Sequence, residues 1–160
     1  MKYLLDTNTC IRYINGRAPQ IREHMRTVSD SDIVISTVTK GEMYAGSAKS
    51  QTPQRSRARQ DAFFIRFASL PFDEAAADEF GSIRAHLELS GTPIGPYDMQ
   101  IAAIAVAHGL IVVTHNTNEF GRVPGLKNRR LGGVTPKLFI PTMAAHFSSP
   151  ACPMHAIASS

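Results

Sequence analysis

Short apolar runs alternate along this chain with longer stretches in which apolar residues recur every three or four positions. Tyr3-Leu4-Leu5, Ile33-Val34-Ile35 and Leu110-Ile111-Val112-Val113 are the continuous runs. Runs of this length, two of them β-branched, read as strands buried on both faces of a parallel sheet. The spacing between them predicts helices. One carries Cys10 to Ile14, with Thr7 or Asn8 as its cap, and a second covers residues 20–28 with Ile21, Met25 and Val28 on one face. A third begins at Ser36 or Thr37 and carries Val38, Met43 and Tyr44; a fourth follows the break at Pro53 and carries Phe63, Phe64 and Phe67. After an extended Leu70-Pro71-Phe72, Asp73 caps a long helix striped by Phe80, Ile83 and Leu87. Gly91 to Pro96 forces a loop, Tyr97 to His108 is strongly apolar and helical, and Gly109 ends it. Strand and helix alternating in this way predict an α/β/α sandwich, three layers around a short, mostly parallel sheet. Residues 131–160 break the pattern. Lys137 is their only formally charged side chain, they hold no Asp or Glu, and they show no period, so a short strand at 137–140 is the most regular structure expected there.

Composition narrows the class without naming an activity. An apolar fraction of 43% is ordinary for a globular chain, and no run is long enough to cross a bilayer. The N-terminus lacks the pattern of a signal peptide, and Cys10 and Cys152 are far apart with no CxxC spacing. A reducing, cytoplasmic setting is therefore expected. A net charge of +4 and a pI near 9.3 suit a polyanionic partner.

The candidate chemistry lies in where the acids fall. Asp6 ends the first strand, Glu42 lies in the helix after the second, Asp98 opens a later helix, and Asn116 and Glu119 follow the last clear strand. All strands of a parallel sheet end on one edge, so these positions converge there. Each has a plainer reading: Asp6 as a turn or cap residue, Glu42 as half of a capping box with Thr39, and Asp98 as an acid placed well in the helix dipole. Converging carboxylates repel unless a cation joins them. An oxygen-only donor set selects a hard ion, Mg²⁺ or Mn²⁺, of the kind that engages phosphate oxygens.

Four segments carry a family resemblance: Leu4-Leu5-Asp6-Thr7-Asn8, the helix from Ser36 to Glu42, Pro93 to Ala103 with Asp98 inside it, and Val113 to Leu126. In order and spacing they resemble PIN-domain ribonucleases, and more narrowly VapC toxins of bacterial type II toxin–antitoxin systems. The resemblance covers residues 2–128. It implies a metal-dependent endoribonuclease that cleaves RNA, with tRNA among the targets, is neutralised by a VapB-type antitoxin, and forms a homodimer. It places the metal-site acids at Asp6, Glu42 and Asp98, and the fourth in Asn116–Glu119, where Glu119 is favoured and Asn116 is a polar neighbour. Residues 1–130 are then the nuclease domain and 131–160 an atypical, loosely ordered tail.

Two departures bear on activity. Asn116 is neutral where a charge is expected. Related toxins also end shortly after Val123-Pro124-Gly125-Leu126 in a short acidic, aromatic-tipped strand, whereas here Lys127-Asn128-Arg129-Arg130 leads into the acid-free tail. An altered reading frame or a fusion scar would leave the sheet without that last edge strand and the toxin weakened. The competing reading is therefore a catalytically weakened PIN fold that binds RNA or a partner. A phosphohydrolase with Asp6 as nucleophile fits less well, because the second acid that chemistry wants two residues on is Asn8. Arg55, Arg57, Arg59 and Arg66 offer contacts to an RNA backbone, and Thr7 and Thr114 offer hydroxyls to metal-bound water.

Overall fold

The computed structural model describes residues 2–17 and 19–130. Five strands form one sheet: β1 (Tyr3–Leu5), β2 (Ile33–Ser36), β3 (Ala68–Leu70), β4 (Ile111–Val113) and β5 (Lys127–Arg129). Their order is β3-β2-β1-β4-β5, and every pairing is parallel. Chain order runs outward in both directions from β1, so the topological switch lies between β1 and β4. A ligand crevice is expected just beyond the carboxyl ends of those two strands.

Successive strand side chains point to opposite faces, and the two cores separate on that alternation. Leu4, Val34 and Val112 face one layer, built from α5 (Glu74–Leu89), α6 (Pro96–Ala107) and Phe120 of the short α7 (Thr117–Phe120). Leu5, Ile33, Ile35 and Val113 face the other, with Cys10 of α1 (Thr7–Ile14), Ile21 and Met25 of α2 (Pro19–Arg26), Met43 of α3 (Thr37–Ala48), and Phe63 and Phe64 of α4 (Pro53–Phe64). This is the expected three-layer sandwich. The three phenylalanines at 63, 64 and 67 are core and buried, with the Phe63 ring meeting Phe64 at a tilt and Phe67 edge-on.

Helix ends follow local chemistry. Ser36 caps α3 by accepting from the Thr39 amide at 3.0 Å, and Asp73 caps α5 by accepting from the Ala76 amide at 2.9 Å. Because α3 has already begun at Thr37, Glu42 is mid-helix and the capping-box reading falls away. The expected cap of α1 needs correction: it is Asp6, not Thr7 or Asn8. At the end of α6, Gly109 takes a φ of +62°, which lets the Leu110 amide reach back to the Ala105 carbonyl at 2.8 Å.

The largest correction concerns the last edge strand. The expected loss of that strand does not occur, because Lys127-Asn128-Arg129 pairs with Ile111-Val112-Val113 and the Thr114 amide donates to the Arg129 carbonyl at 3.0 Å. Backbone pairing makes this strand, and an edge strand tolerates lysine and arginine. The expected tail and its strand at 137–140 lie outside the described residues.

Candidate active site

The site is built at the switch point. β1 ends at Leu5 and the chain turns directly into α1, so Asp6 sits at the strand's carboxyl end with its side chain folded over the first turn of the helix. It is 1% exposed. One carboxylate oxygen accepts from the Thr9 amide at 2.7 Å, and the other accepts from the Thr114 hydroxyl at 2.6 Å. Thr114 stands at the matching end of β4, and its oxygen accepts from the Asn116 amide at 2.8 Å. Thr9 is fixed in turn by donating its hydroxyl to the Val113 carbonyl at 3.1 Å. Burial pushes the Asp6 carboxyl up from the usual range, while the Thr114 and Thr9 donors pull it back.

Glu42 projects from α3, half-buried, and accepts a hydrogen bond from the Thr7 hydroxyl. Asp98 lies in the first turn of α6, and Glu119 lies in α7. Asp98 is pushed up to about 6, by burial first and then by the charges of Asp6, Glu119 and Glu42; a hydrogen bond with Glu119 acts in the same direction. Asp98 therefore feels carboxylates from three other segments, those of Asp6, Glu42 and Glu119. Asn116 begins α7 with its backbone, and its side chain makes no cap hydrogen bond.

Of the acids expected to converge, Asp98 feels the charges of Asp6, Glu42 and Glu119, and the Asn116 amide donates to Thr114 beside Asp6. The two threonines have a different part from the one expected. Thr7 and Thr114 spend their hydroxyls on Glu42 and Asp6, so they aim the acids. Thr9 went unrecognised in the sequence, although an acid followed three residues later by a small polar residue at a strand-to-helix turn is the available signal. The arginine row divides. Arg57 pairs with Asp61 at 3.0 Å and lies over the Tyr44 ring, and Arg66 pairs with Asp30 at 2.9 Å, so both are structural; Arg55 and Arg59 stay exposed. Both Asp6 oxygens are engaged and Asn8 is exposed, an arrangement that does not support a covalent role for Asp6.

The donor set fits a hard divalent cation. Among the described residues, no three acidic, histidine or cysteine side chains close into a ready-made cage. Mg²⁺ does not need one, since it keeps several waters and takes one or two carboxylates. Burial raises Asp98 most, and the repulsion from Asp6, Glu119 and Glu42 that adds to it is the charge excess such an ion would neutralise.

The PIN domain family model matches residues 3–126. A tRNA(fMet)-specific endonuclease VapC of Salmonella typhimurium is 43% identical over 127 residues, which is 79% of this chain and 96% of that relative. The chain belongs to the VapC family of PIN-domain proteins. A ribonuclease VapC2 of Haemophilus influenzae is 37% identical over 79% of this chain and 96% of its own length. Among solved structures, the DNA-bound VapBC of Salmonella typhimurium superposes with a TM-score of 0.78 at 41% identity, covering 82% of this chain and 98% of that one. The VapC chain described here is accordingly a nuclease of toxin–antitoxin type. Among the described residues no helix is long and apolar enough to cross a membrane.

Proposed function

We propose that this VapC protein is an endoribonuclease toxin that uses Mg²⁺ or Mn²⁺ at Asp6, Glu42, Asp98 and Glu119, acts in the cytoplasm as a homodimer, and is held in check by a small VapB-type antitoxin. The observation that carries the reading is the gathering of acids around Asp98, which is raised to about 6 by burial first and then by the charges of Asp6, Glu119 and Glu42. The Salmonella relative is named for tRNA(fMet), which makes the initiator tRNA the first substrate to test. The solved Salmonella assembly is a VapBC complex, which supports the antitoxin as partner.

The chain's own residues prepare the site. Thr9 and Thr114 hold Asp6 in a single orientation, so its charge costs little reorganisation when a phosphodiester arrives. Thr7 holds Glu42. Burial, the charges of Asp6, Glu119 and Glu42, and a hydrogen bond with Glu119 hold the Asp98 carboxyl up at about 6, so it can release its proton just below neutral pH. A bound divalent ion would supply Lewis acidity toward the phosphoryl oxygen and an activated water.

The competing reading, a weakened fold that only binds, rested on the altered C-terminus; its edge strand is present as β5, and residues 131–160 lie outside the described residues. The reading is tested by incubating end-labelled tRNA with the protein in Mg²⁺, in EDTA, and with a VapB-type antitoxin. Cleavage in Mg²⁺ that EDTA and antitoxin both suppress is the expected result. Cleavage insensitive to EDTA, or intact tRNA and intact total RNA, contradicts it. Light scattering tests the dimer.

A further inference from the structure

Glu42 borders two hollows, one on each side of α3. The larger, about 520 Å³, lies between α3 and α6 and is lined by Glu42, Gly46, Lys49, Tyr97 and Gln100, with Val38, Gly41 and Ala45 along its floor. On α3, positions 38, 42, 45 and 49 fall at helical spacing, so they form one continuous stripe. The stripe is low, because Gly41 and Gly46 leave open space where a side chain would stand. On the opposite wall, Tyr97 and Gln100 are three apart on one face of α6. Tyr97 directly precedes Asp98, and its large ring is 53% exposed. Among the described residues, its side chain makes no hydrogen bond and stacks on no other ring, and the Lys49 ammonium has no ion pair. Exposing an aromatic ring beside a charged site, with nothing packed on it, is costly unless a partner covers it.

We propose that this cleft is the channel for the RNA strand, with Tyr97 as the stacking platform for a nucleobase beside the cut phosphodiester and Lys49 as the contact to a neighbouring phosphate. The proposal rests on the endoribonuclease reading and adds to it the residues that hold the substrate. Continuity with the acidic site, through Glu42 in the cleft wall and Asp98 next to Tyr97 in the chain, favours a strand that passes through both. Lys49 is seven residues beyond Glu42, about 10 Å along the helix. At that distance its charge serves a flanking phosphate, not the one being cut. An aromatic face beside a lone cation is also the pairing that single-stranded nucleic acids use: bases stack on rings, and the backbone tracks positive charge. The stack has little base preference, so Tyr97 sets affinity and register and leaves sequence choice to other contacts.

The test uses the full chain and a fluorescent single-stranded RNA, with binding read in EDTA and cleavage read in Mg²⁺. Tyr97→Ala is expected to weaken RNA binding about tenfold, with KM rising more than kcat falls, and Tyr97→Phe is expected to restore binding to within about twofold, because the ring face is kept. Lys49→Ala is expected to reduce the dependence of binding on salt by about one phosphate contact. Leu89→Ala, which changes another exposed apolar residue far along the chain, serves as the control. RNA affinity unchanged in both Tyr97→Ala and Lys49→Ala overturns the proposal. So does a Tyr97→Ala variant that falls to monomer, or loses antitoxin, while its RNA affinity stays at the parent value; the cleft would then be a protein interface. The endoribonuclease reading fails separately, through a parent protein that does not cut RNA or an Asp98→Asn variant that cuts it as well as the parent.

Discussion

At the strand end, Asp6 is surrounded by donors; on the helical wall, Asp98 is surrounded by acceptors. The first carboxylate is almost wholly buried, yet the Thr9 amide and the Thr114 hydroxyl each meet one of its oxygens. The second is half-buried, and its neighbours are Asp6, Glu119 and Glu42. One corner is therefore locked by hydrogen bonds that belong to the fold. The other is half-buried among like charges, and burial and those charges together make it harder to ionise. The proposed cation site thus has one acid fixed rigidly at a strand end and the others carried on helices.

The strongest way to break that contrast is to remove the locked charge. Asp6→Asn is expected to reduce RNA cleavage by about a thousandfold or more, the scale of several kcal/mol attributed to a metal's charge stabilisation. The fold should survive, since asparagine caps a helix as well as aspartate does and can still accept from the Thr9 amide. Circular dichroism alongside the cleavage assay checks both halves; a folded variant with parental activity would remove Asp6 from the site.

A smaller effect is expected from loosening the lock while keeping the charge. Thr114→Val takes the hydroxyl from Asp6 and the acceptor from the Asn116 amide. Activity or metal affinity should fall about 10- to 100-fold, the usual cost of losing an outer partner of a ligating group. Thr114→Ser should recover most of it, and a Ser variant as poor as the Val variant would show that shape rather than the hydrogen bond matters.

The repelled corner makes an opposite prediction about stability. Asp98 titrates near 3.8 when unfolded and at about 6 when folded, so between those values the native state binds the extra proton. Stability then falls as pH rises through that window, and the penalty is complete above about 6. Asp98→Asn should therefore raise the stability of the metal-free protein at pH 7.5, by about 1 kcal/mol after allowing for solvent screening of a half-buried group. The gain should vanish by about pH 4. Thermal melts in EDTA at the two pH values decide it, and a variant less stable than the parent at pH 7.5 would contradict the repulsion.

The smallest expected change concerns the margin. Glu119→Gln should raise the Mn²⁺ concentration needed for activity several-fold. Asn116→Asp should lower it, if at all, by about twofold, because the Asn116 side chain takes no part in capping and its carboxylate replacement would only add to the field. A larger effect at 116 than at 119 would exchange their roles.

The acids of this site could be read from the sequence because each follows a strong pattern. Asp6 and Glu119 come just after apolar runs, Ser36 and Asp73 are plain caps, and a parallel sheet gathers strand ends without further information. What stayed hidden depends on contacts between distant segments. Thr114 reaches Asp6 across 108 positions, and nothing local to Thr114 announces that partner. Asp6, Thr7 and Asn8 are all good cap residues by composition, so the choice among them falls to the Thr9 amide, which meets Asp6. β5 was missed because Lys127-Asn128-Arg129 has neither alternation nor β-branched residues; it is a strand because β4 offers a free edge at the right register. The arginines at 57 and 66 could not be told apart from those at 55 and 59 until Asp61 and Asp30 were seen beside them.

A cation site at these carboxylates would bind a divalent ion in the absence of RNA. The most direct measurement is calorimetric titration of Mn²⁺ into the metal-free protein, parent and Asp98→Asn side by side, at neutral pH. The account predicts saturable binding by the parent, weakened at least about tenfold in Asp98→Asn. Equal binding by both proteins, or no binding by the parent in the presence of an RNA it cleaves, would contradict it.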